Sequence, residues 1–379
     1  MTLSSLEMQP APCLENGRQL AAQFEMPGEP IGMLPIGGGN INDTYLAVYR
    51  TSCSEARCVI QRINLHVFRQ PESLMRNYRR VTLHVHRRLE NERDGADRLW
   101  QLPRMIPCKD GADLHIAANG DHWRAITLID SAISYEQVQN LSHAREAGAV
   151  LGQFHRLVMD LDPDSLDITL PGFHRTPQYL AAFDRALVTP AAQQLLDRDP
   201  RTRDLCRFVE QRRPLCVVLE NALAEGRIAL RIMHGDPKIS NILIDTITGR
   251  GTSIIDLDTV GPGLIHWDYG DAVRSICNPA GEETTDLDQV SFDQDLFRAF
   301  NEGYIGQIGP ALAPGDRSLF YEAIRLISFE LGLRFLQDHL AGDIYFKTRH
   351  PGHNRDRAAV QIRLCEKIEM AEPQIRACL

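Results

Sequence analysis

The sequence predicts an α+β chain: a small β-rich N-terminal lobe followed by a larger, mostly helical C-terminal lobe. Three observations carry this. Short runs rich in β-branched and aromatic residues, parted by Gly, Asn and Asp, fill the chain up to about residue 128. From about Leu141 the apolar period turns helical, with Ala147, Leu151, Phe154 and Val158 at i, i+4, i+7 and i+11. Within the helical part, short apolar runs at 229–232, 242–244 and 253–255 read as a second, smaller sheet.

Residues 1–30, with Pro10, Pro12, Pro27 and Pro30, read as a lead-in carrying one short helix near Leu20. Strands are expected at 31–36, 44–50 and 57–63. Pro71 suits a first helical turn, and the helix it opens runs to about Leu89. Two more strands, 114–116 and 123–128, flank the turn Asn119-Gly120-Asp121. This sets an N-lobe at 31–128, a connector near Leu128-Ile129-Asp130, and a C-lobe at 129–379. Helices are expected across 177–225, then at 290–307, 317–340 and 356–371. Ligand sites favour the cleft between two such lobes.

Composition narrows the partners. The chain has 379 residues, 43% hydrophobic and 24% charged, as in ordinary globular proteins. Acidic residues outnumber basic ones, 50 to 41, for a net charge of −9, so no basic footprint marks a nucleic-acid partner. No apolar run approaches membrane-span length, and the first residues lack a signal-peptide pattern. The nine cysteines, scattered and without Cys-x-x-Cys, read as reduced thiols of a cytoplasmic protein. Asp160, Asp162 and Asp164 imitate the start of a calcium loop, but Ser165 stands where that loop needs glycine. His84, His86, His350 and His353 lack the companions of a zinc site. His155 reads as a hydrogen-bonded structural histidine.

The segment His234-Gly235-Asp236-Pro237-Lys238-Ile239-Ser240-Asn241, followed by Ile254-Ile255-Asp256-Leu257-Asp258, carries the chemistry. Asp236 follows a strand on a turn, with Lys238 two residues on and Asn241 five on. A hairpin-like return brings Asp256 to the same end of the small sheet. One carboxylate can take a proton while an amide and a second carboxylate hold a divalent cation. Magnesium takes few protein oxygens and completes its shell with phosphate. Phosphoryl transfer needs this division of labour. A second signal is Gly37-Gly38-Gly39-Asn40 between two strands, where backbone amides can approach an anion closely.

These segments resemble the protein-kinase-like superfamily, and His-Gly-Asp is similar to its aminoglycoside-phosphotransferase branch. The resemblance implies a kinase-like fold. It also implies Asp236 as catalytic base, Lys238 against the transferred phosphate, and Asn241 and Asp256 on Mg²⁺. Asp268 and Asp271 match an acidic position that braces the catalytic loop, and Gly37, Gly38, Gly39 and Asn40 would cover the phosphates of ATP. Arg62 stands where such lobes carry a strand lysine, keeping the charge on a planar fork. Its partner on the following helix falls between Glu72 and Asn77.

Within that superfamily, Gly39-Asn40-Ile41-Asn42-Asp43-Thr44-Tyr45, Gln61-Arg62-Ile63-Asn64, Asp268-Tyr269-Gly270-Asp271 and Arg334-Phe335-Leu336 leading to Gly342-Asp343-Ile344-Tyr345-Phe346 resemble the N-acetylhexosamine 1-kinases. That likeness implies an anomeric hydroxyl as acceptor, with Arg334 and Tyr345 on the sugar. Read on its own, Arg334 continues the stripe Phe320, Ile324, Ile327, Leu331. It either faces a cavity or pairs at i, i+4 with Glu330 or Asp338. The rival functions are another small-molecule phosphotransferase, with an aminoglycoside or choline-type acceptor, and a nucleotide-binding pseudokinase.

Overall fold

A computed structural model describes residues 17–36, 41–92 and 100–379. The chain divides into two compact units. The first holds residues up to Asn91, Gln101–Asp130 and the short return Leu166–Leu170. The second holds Glu92–Trp100, Ser131–Ser165 and everything from Pro171 onward.

In the first unit, helix α1 (Gly17–Ala21) leads into strands β1 (Glu29–Pro35), β2 (Asp43–Arg50) and β3 (Glu55–Arg62). Helix α2 (Pro71–Asn91) follows, then β4 (Met105–Ile106), β5 (His115–Ile116) and β6 (His122–Thr127). The sheet order is β1-β2-β3-β6-β4, with β5 on β6, and every pairing is antiparallel. Alternation puts Met33, Ala47, Tyr49, Cys58, Ile60, Trp123 and Ala125 on one apolar face, where α1 also packs. Ile63, Phe68, Leu74 and Met75 join the end of β3 to α2. The return segment is tied to α2 by Asn77, which donates to Asp167 O at 2.8 Å and accepts from Asp167 N at 2.8 Å.

The second unit starts at β7 (Ala132–Ile133) and helix α3 (Leu141–Val158), whose first turn is capped by the Asn140 side chain. Helices α4 (Thr176–Leu187), α5 (Pro190–Arg198), α6 (Pro200–Gln211) and α7 (Val218–Ala224) follow. Proline in the first turn of α4, α5 and α6 marks each start. Then come β8 (Arg231–Met233), β9 (Ile242–Asp245), β10 (Gly251–Ile254) and β11 (Gly261–Gly263). These form two small sheets, β10-β9-β7 and β11-β8. The chain closes with α8 (Ile265–Ile276), α9 (Gln294–Ile308), α10 (Pro314–Ser318), α11 (Phe320–Leu340), α12 (His353–Met370) and α13 (Glu372–Cys378). Helix α11 runs through the largest core, burying Leu326, Phe329, Leu333 and Leu336 against Phe183, Leu219, Trp267 and Ile362.

Helices α3 and α9 meet backbone to backbone. A Cβ on Gly148 would lie 2.0 Å from Phe300 O, and one on Gly303 would lie 2.0 Å from Arg145 O. Glycine is required at both positions, and the close approach fixes what the two helices present to their neighbours. No helix among the described residues is long and apolar enough to cross a membrane.

Candidate active site

Strand β8 ends at Met233, and the chain turns at once through His234-Gly235-Asp236. Gly235 has φ +89, and a Cβ there would lie 2.7 Å from the Thr259 Cβ. Glycine is therefore the residue this turn accepts. Asp268, on α8 and 0% exposed, holds the turn: Oδ2 accepts the His234 amide at 2.5 Å and Oδ1 the Gly235 amide at 2.7 Å. Behind it, His155 Nε2 donates to Asp268 Oδ2 at 2.8 Å, and His155 Nδ1 bonds the Tyr304 hydroxyl at 2.9 Å. The glycine contacts between α3 and α9 are what bring His155 and Tyr304 together. His155 is thus structural, as its place on an apolar helix predicts, and it stands one contact behind the loop.

Burial would raise the Asp268 carboxyl, but hydrogen bonding and charge from His155, with His234, hold it below the usual carboxylate range. His234 is buried and pushed toward its neutral form by that burial. Its Nε2–H donates to Ile255 O at 2.9 Å, and its Nδ1 accepts the Asp236 amide at 3.3 Å. Thr259 Oγ1 donates to His234 O at 2.8 Å and Ser275 Oγ accepts the Ile239 amide at 3.1 Å. The loop is over-determined from both ends.

On this frame the predicted residues meet. Lys238 Nζ donates to Asp236 Oδ2 at 2.7 Å. Asn241 Nδ2 donates to Asp236 O at 2.7 Å and to Asp236 Oδ2 at 3.1 Å. The Asn241 carbonyl accepts the Ile255 amide at 2.8 Å, which ties Asn241 to the residue before Asp256. Asp256 is exposed, in the left-handed region at φ 65, ψ 59, a conformation that aspartate tolerates better than most residues. Burial works against the charge on Lys238, but Asp236, then Asp256 and Asp271, outweigh it and raise its pKa. Lys238 is therefore a fixed cation at neutral pH. Asp271 is held by Arg274, N···O 2.8 Å, rather than by the 234–241 loop.

Asn241 suits a hard cation. Its amide nitrogen is spent on Asp236, while its Oδ1 accepts no hydrogen bond among the described residues. With the Asp256 carboxylate, which the Ile255–Asn241 backbone bond places one residue along, this is an all-oxygen donor set of the kind magnesium prefers.

Arg334 lies over three rings: Tyr179 at 5.0 Å, Phe346 at 5.5 Å and Phe173 at 5.9 Å to the centroids. The i, i+4 alternative does not hold. Glu330 accepts from His174 Nδ1 at 2.9 Å and Thr176 Oγ1 at 2.6 Å, and Asp338 is taken by backbone amides. Arg334 has no ion pair among the described residues. Tyr345 is exposed and stands edge-on to Phe346 at 4.8 Å. His174, which joins this cluster to the loop, carries no local signal in its spacing. It adopts φ 55, stacks on Trp267 at 5.5 Å, and directs Nε2 toward Gly235 O at 3.4 Å. Burial works against its charge, but the Glu330 carboxylate overcomes this and raises its pKa.

In the first unit, Arg62 is paired with Asp43, its cross-strand partner on β2, and with Asp121 at 3.3 Å. Neither Glu72 nor Asn77 supplies the partner the sequence suggested: Asn77 is spent on Asp167. Gly37, Gly38, Gly39 and Asn40 lie outside the described residues.

Residues 32–305, well over half the chain, match the phosphotransferase enzyme family, APH. The chain belongs to this family. Solved structures share the APH fold at low identity. An aminoglycoside phosphotransferase from Alicyclobacillus acidocaldarius superposes with a TM-score of 0.56 at 14% identity, covering 99% of each chain. A microcompartment-associated aminopropanol kinase gives 0.54 at 16%, covering 95% of this chain and 97% of that one. A choline kinase from Cryptosporidium parvum gives 0.53 at 15%, covering 90% of each. The kinase-like architecture expected from the sequence is thereby established, and the activity class is phosphotransfer to a small molecule.

Proposed function

We propose that this APH-family chain transfers the γ-phosphoryl group of ATP to the anomeric hydroxyl of an N-acetylhexosamine. Asp236 orients the acceptor hydroxyl and takes its proton. Lys238 neutralises charge on the phosphoryl group in flight. Asn241 and Asp256 would hold Mg²⁺, which would supply positive charge to offset that of the phosphates. Gly37, Gly38, Gly39, Asn40 and Arg62 are assigned to the nucleotide on the strength of the sequence. That base, amide and lysine are present in one braced loop, with a metal carboxylate on the neighbouring segment, argues for turnover rather than a pseudokinase.

The observation that carries the acceptor class is Arg334. Its guanidinium is clamped by aromatic faces beside Phe173 and His174, the segment that reaches Gly235 and so Asp236. The carboxylates around it are engaged: Glu330 by His174 and Thr176, Asp338 by amides, Asp271 by Arg274. Arg334 itself presents only N–H donors, so it offers a cationic acceptor no partner. An uncharged polyol with an acetamide can instead accept its N–H groups. The similar structures are named for aminopropanol and choline, whereas the donors that Arg334 presents here suit an uncharged acceptor.

The test is ADP release with ATP and Mg²⁺ over N-acetylglucosamine, N-acetylgalactosamine, glucosamine, choline and kanamycin, with product reducing ends assayed alongside. Turnover is expected on the acetylated sugars, with loss of reducing ends as the 1-phosphate forms. Turnover confined to the amines, or a sugar phosphate that keeps its reducing end, overturns the proposal. Asp256→Ala is expected to raise the Mg²⁺ concentration for half-maximal activity by at least ~10-fold, because one of few protein ligands is deleted. An unchanged Mg²⁺ titration would remove Asp256 from the ligand set.

A further inference from the structure

Asp338 lies one turn beyond Arg334 on α11 and is 2% exposed. Among the described residues its carboxylate meets no cation within a hydrogen bond. Oδ1 accepts the amides of Ile344 at 3.0 Å and Tyr345 at 2.8 Å. Oδ2 accepts the Phe346 amide at 2.9 Å and Asn354 Nδ2 at 2.9 Å. Asn354, 0% exposed, also reaches Asp343 Oδ1 at 2.8 Å, and Asp343 itself has φ 60.

A buried carboxylate needs this many donors, so the loop and the aspartate depend on each other. Ending the helix does not require them. The last carbonyls of α11 are already met by the amides of Ala341, Gly342 and Asp343. What the carboxylate adds is a fixed backbone over 344–346. That backbone turns Phe346 inward onto Phe335, at 4.6 Å, and onto Arg334. It leaves Ile344 and Tyr345 80% and 68% exposed. A fixed backbone places these side chains with the backbone part of the ordering entropy already spent before a ligand arrives.

We propose that Asp338 is a positioning residue for the acceptor: it presets the 344–346 loop so that Phe346 completes the clamp on Arg334 and Tyr345 meets the sugar. This rests on the acceptor-side reading of Arg334 given above. Asp338→Asn keeps the shape but turns a donor toward amides that need an acceptor. It is expected to raise the KM for N-acetylglucosamine by about 10–100-fold, as small misplacements of positioning groups do, with the KM for ATP unchanged. Amide hydrogen exchange should accelerate at Ile344, Tyr345 and Phe346 while α11 and α12 stay protected. A purely structural role predicts the opposite split: protection lost along both helices, with acceptor KM at the wild-type value in the molecules that remain folded.

Arg334→Ala serves as the parallel measurement on the same sugar. If it raises the acceptor KM and Asp338→Asn does not, the present proposal falls and the acceptor-side reading stands. If Arg334→Ala leaves that KM unchanged, the acceptor-side reading itself has failed. Should Asp338→Asn not fold, Asn354→Ala removes a single donor from the same carboxylate. It also frees Asp343 Oδ1, and it should shift the acceptor KM in the same direction by only several-fold, because the three amide bonds to Asp338 remain. An unchanged KM in that variant overturns the proposal as well.

Discussion

Asp236→Asn is expected to lower kcat by at least ~10²-fold while leaving nucleotide affinity nearly unchanged. The geometry separates the two effects. Asp236 Oδ2 is occupied by Lys238 Nζ and Asn241 Nδ2, while Oδ1 accepts no hydrogen bond among the described residues. That oxygen is the one available to an acceptor hydroxyl. Asparagine can keep an oxygen on Lys238 and Asn241, so the loop retains its shape. It then presents an amide N–H₂ where the base should be, and the hydroxyl proton has no acceptor. Single-turnover ADP formation, with ATP affinity measured by equilibrium binding, checks the split. A variant with near wild-type rate would move the base to another carboxylate, and Asp256 would be the first to test. Equal losses of rate and of ATP affinity would instead assign Asp236 to the nucleotide.

The grouping of the candidate site residues was more legible in the sequence than the scaffolding. His-Gly-Asp, Lys238, Asn241 and Asp256 sit within two short segments whose residue types are rarely combined otherwise, so local pattern suffices. Strands β2 and β3 and helix α2 were legible for a similar reason: long runs with one clear period. Helix α8 was not, because it is buried nearly all round. Ile265, His266, Trp267, Asp268, Tyr269, Asp271 and Arg274 are all buried, and without a polar face no helical period shows. Strands β7 and β11 have two and three residues, and β11 is Gly-Pro-Gly, which reads as a turn. Contacts between distant residues were hidden for a different reason. His174 and Glu330 are 156 positions apart, and nothing local marks either as a partner of the other. Arg334 illustrates the same limit: helical spacing offered Glu330 and Asp338 as partners, but longer-range donors had claimed both. The cross-strand pairing of Arg62 with Asp43 follows from strand register, which a helix-partner rule borrowed by analogy does not consider.

Asp268→Asn is expected to be the costliest single change for stability, because Asp268 is where fold and chemistry join. Three donors converge on its two oxygens: the amides of His234 and Gly235, and His155 Nε2. Asparagine offers one oxygen and one further donor, so at least one buried N–H is stranded, at about 1–3 kcal/mol for each. Against a total of roughly 5–15 kcal/mol, that is a large fraction. The loop carrying Asp236 also loses its anchor, so kcat should fall together with the melting temperature. The pH dependence gives an independent reading. The folded-state pKa of Asp268 lies below its unfolded value, so its ionised form stabilises the native state fully above the usual carboxylate pKa of about 4. That contribution is lost as pH falls from there toward the depressed folded value. Asparagine does not titrate, so the variant should lose this part of the acid-side slope while its stability near neutral pH is already lower. Urea midpoints measured from neutral pH down to the onset of acid unfolding test this directly. If the curves of the wild type and the Asp268→Asn variant run parallel, or the midpoints coincide at neutral pH, then Thr259 and Ser275 hold the loop without Asp268, and the chain from Tyr304 through His155 carries no load.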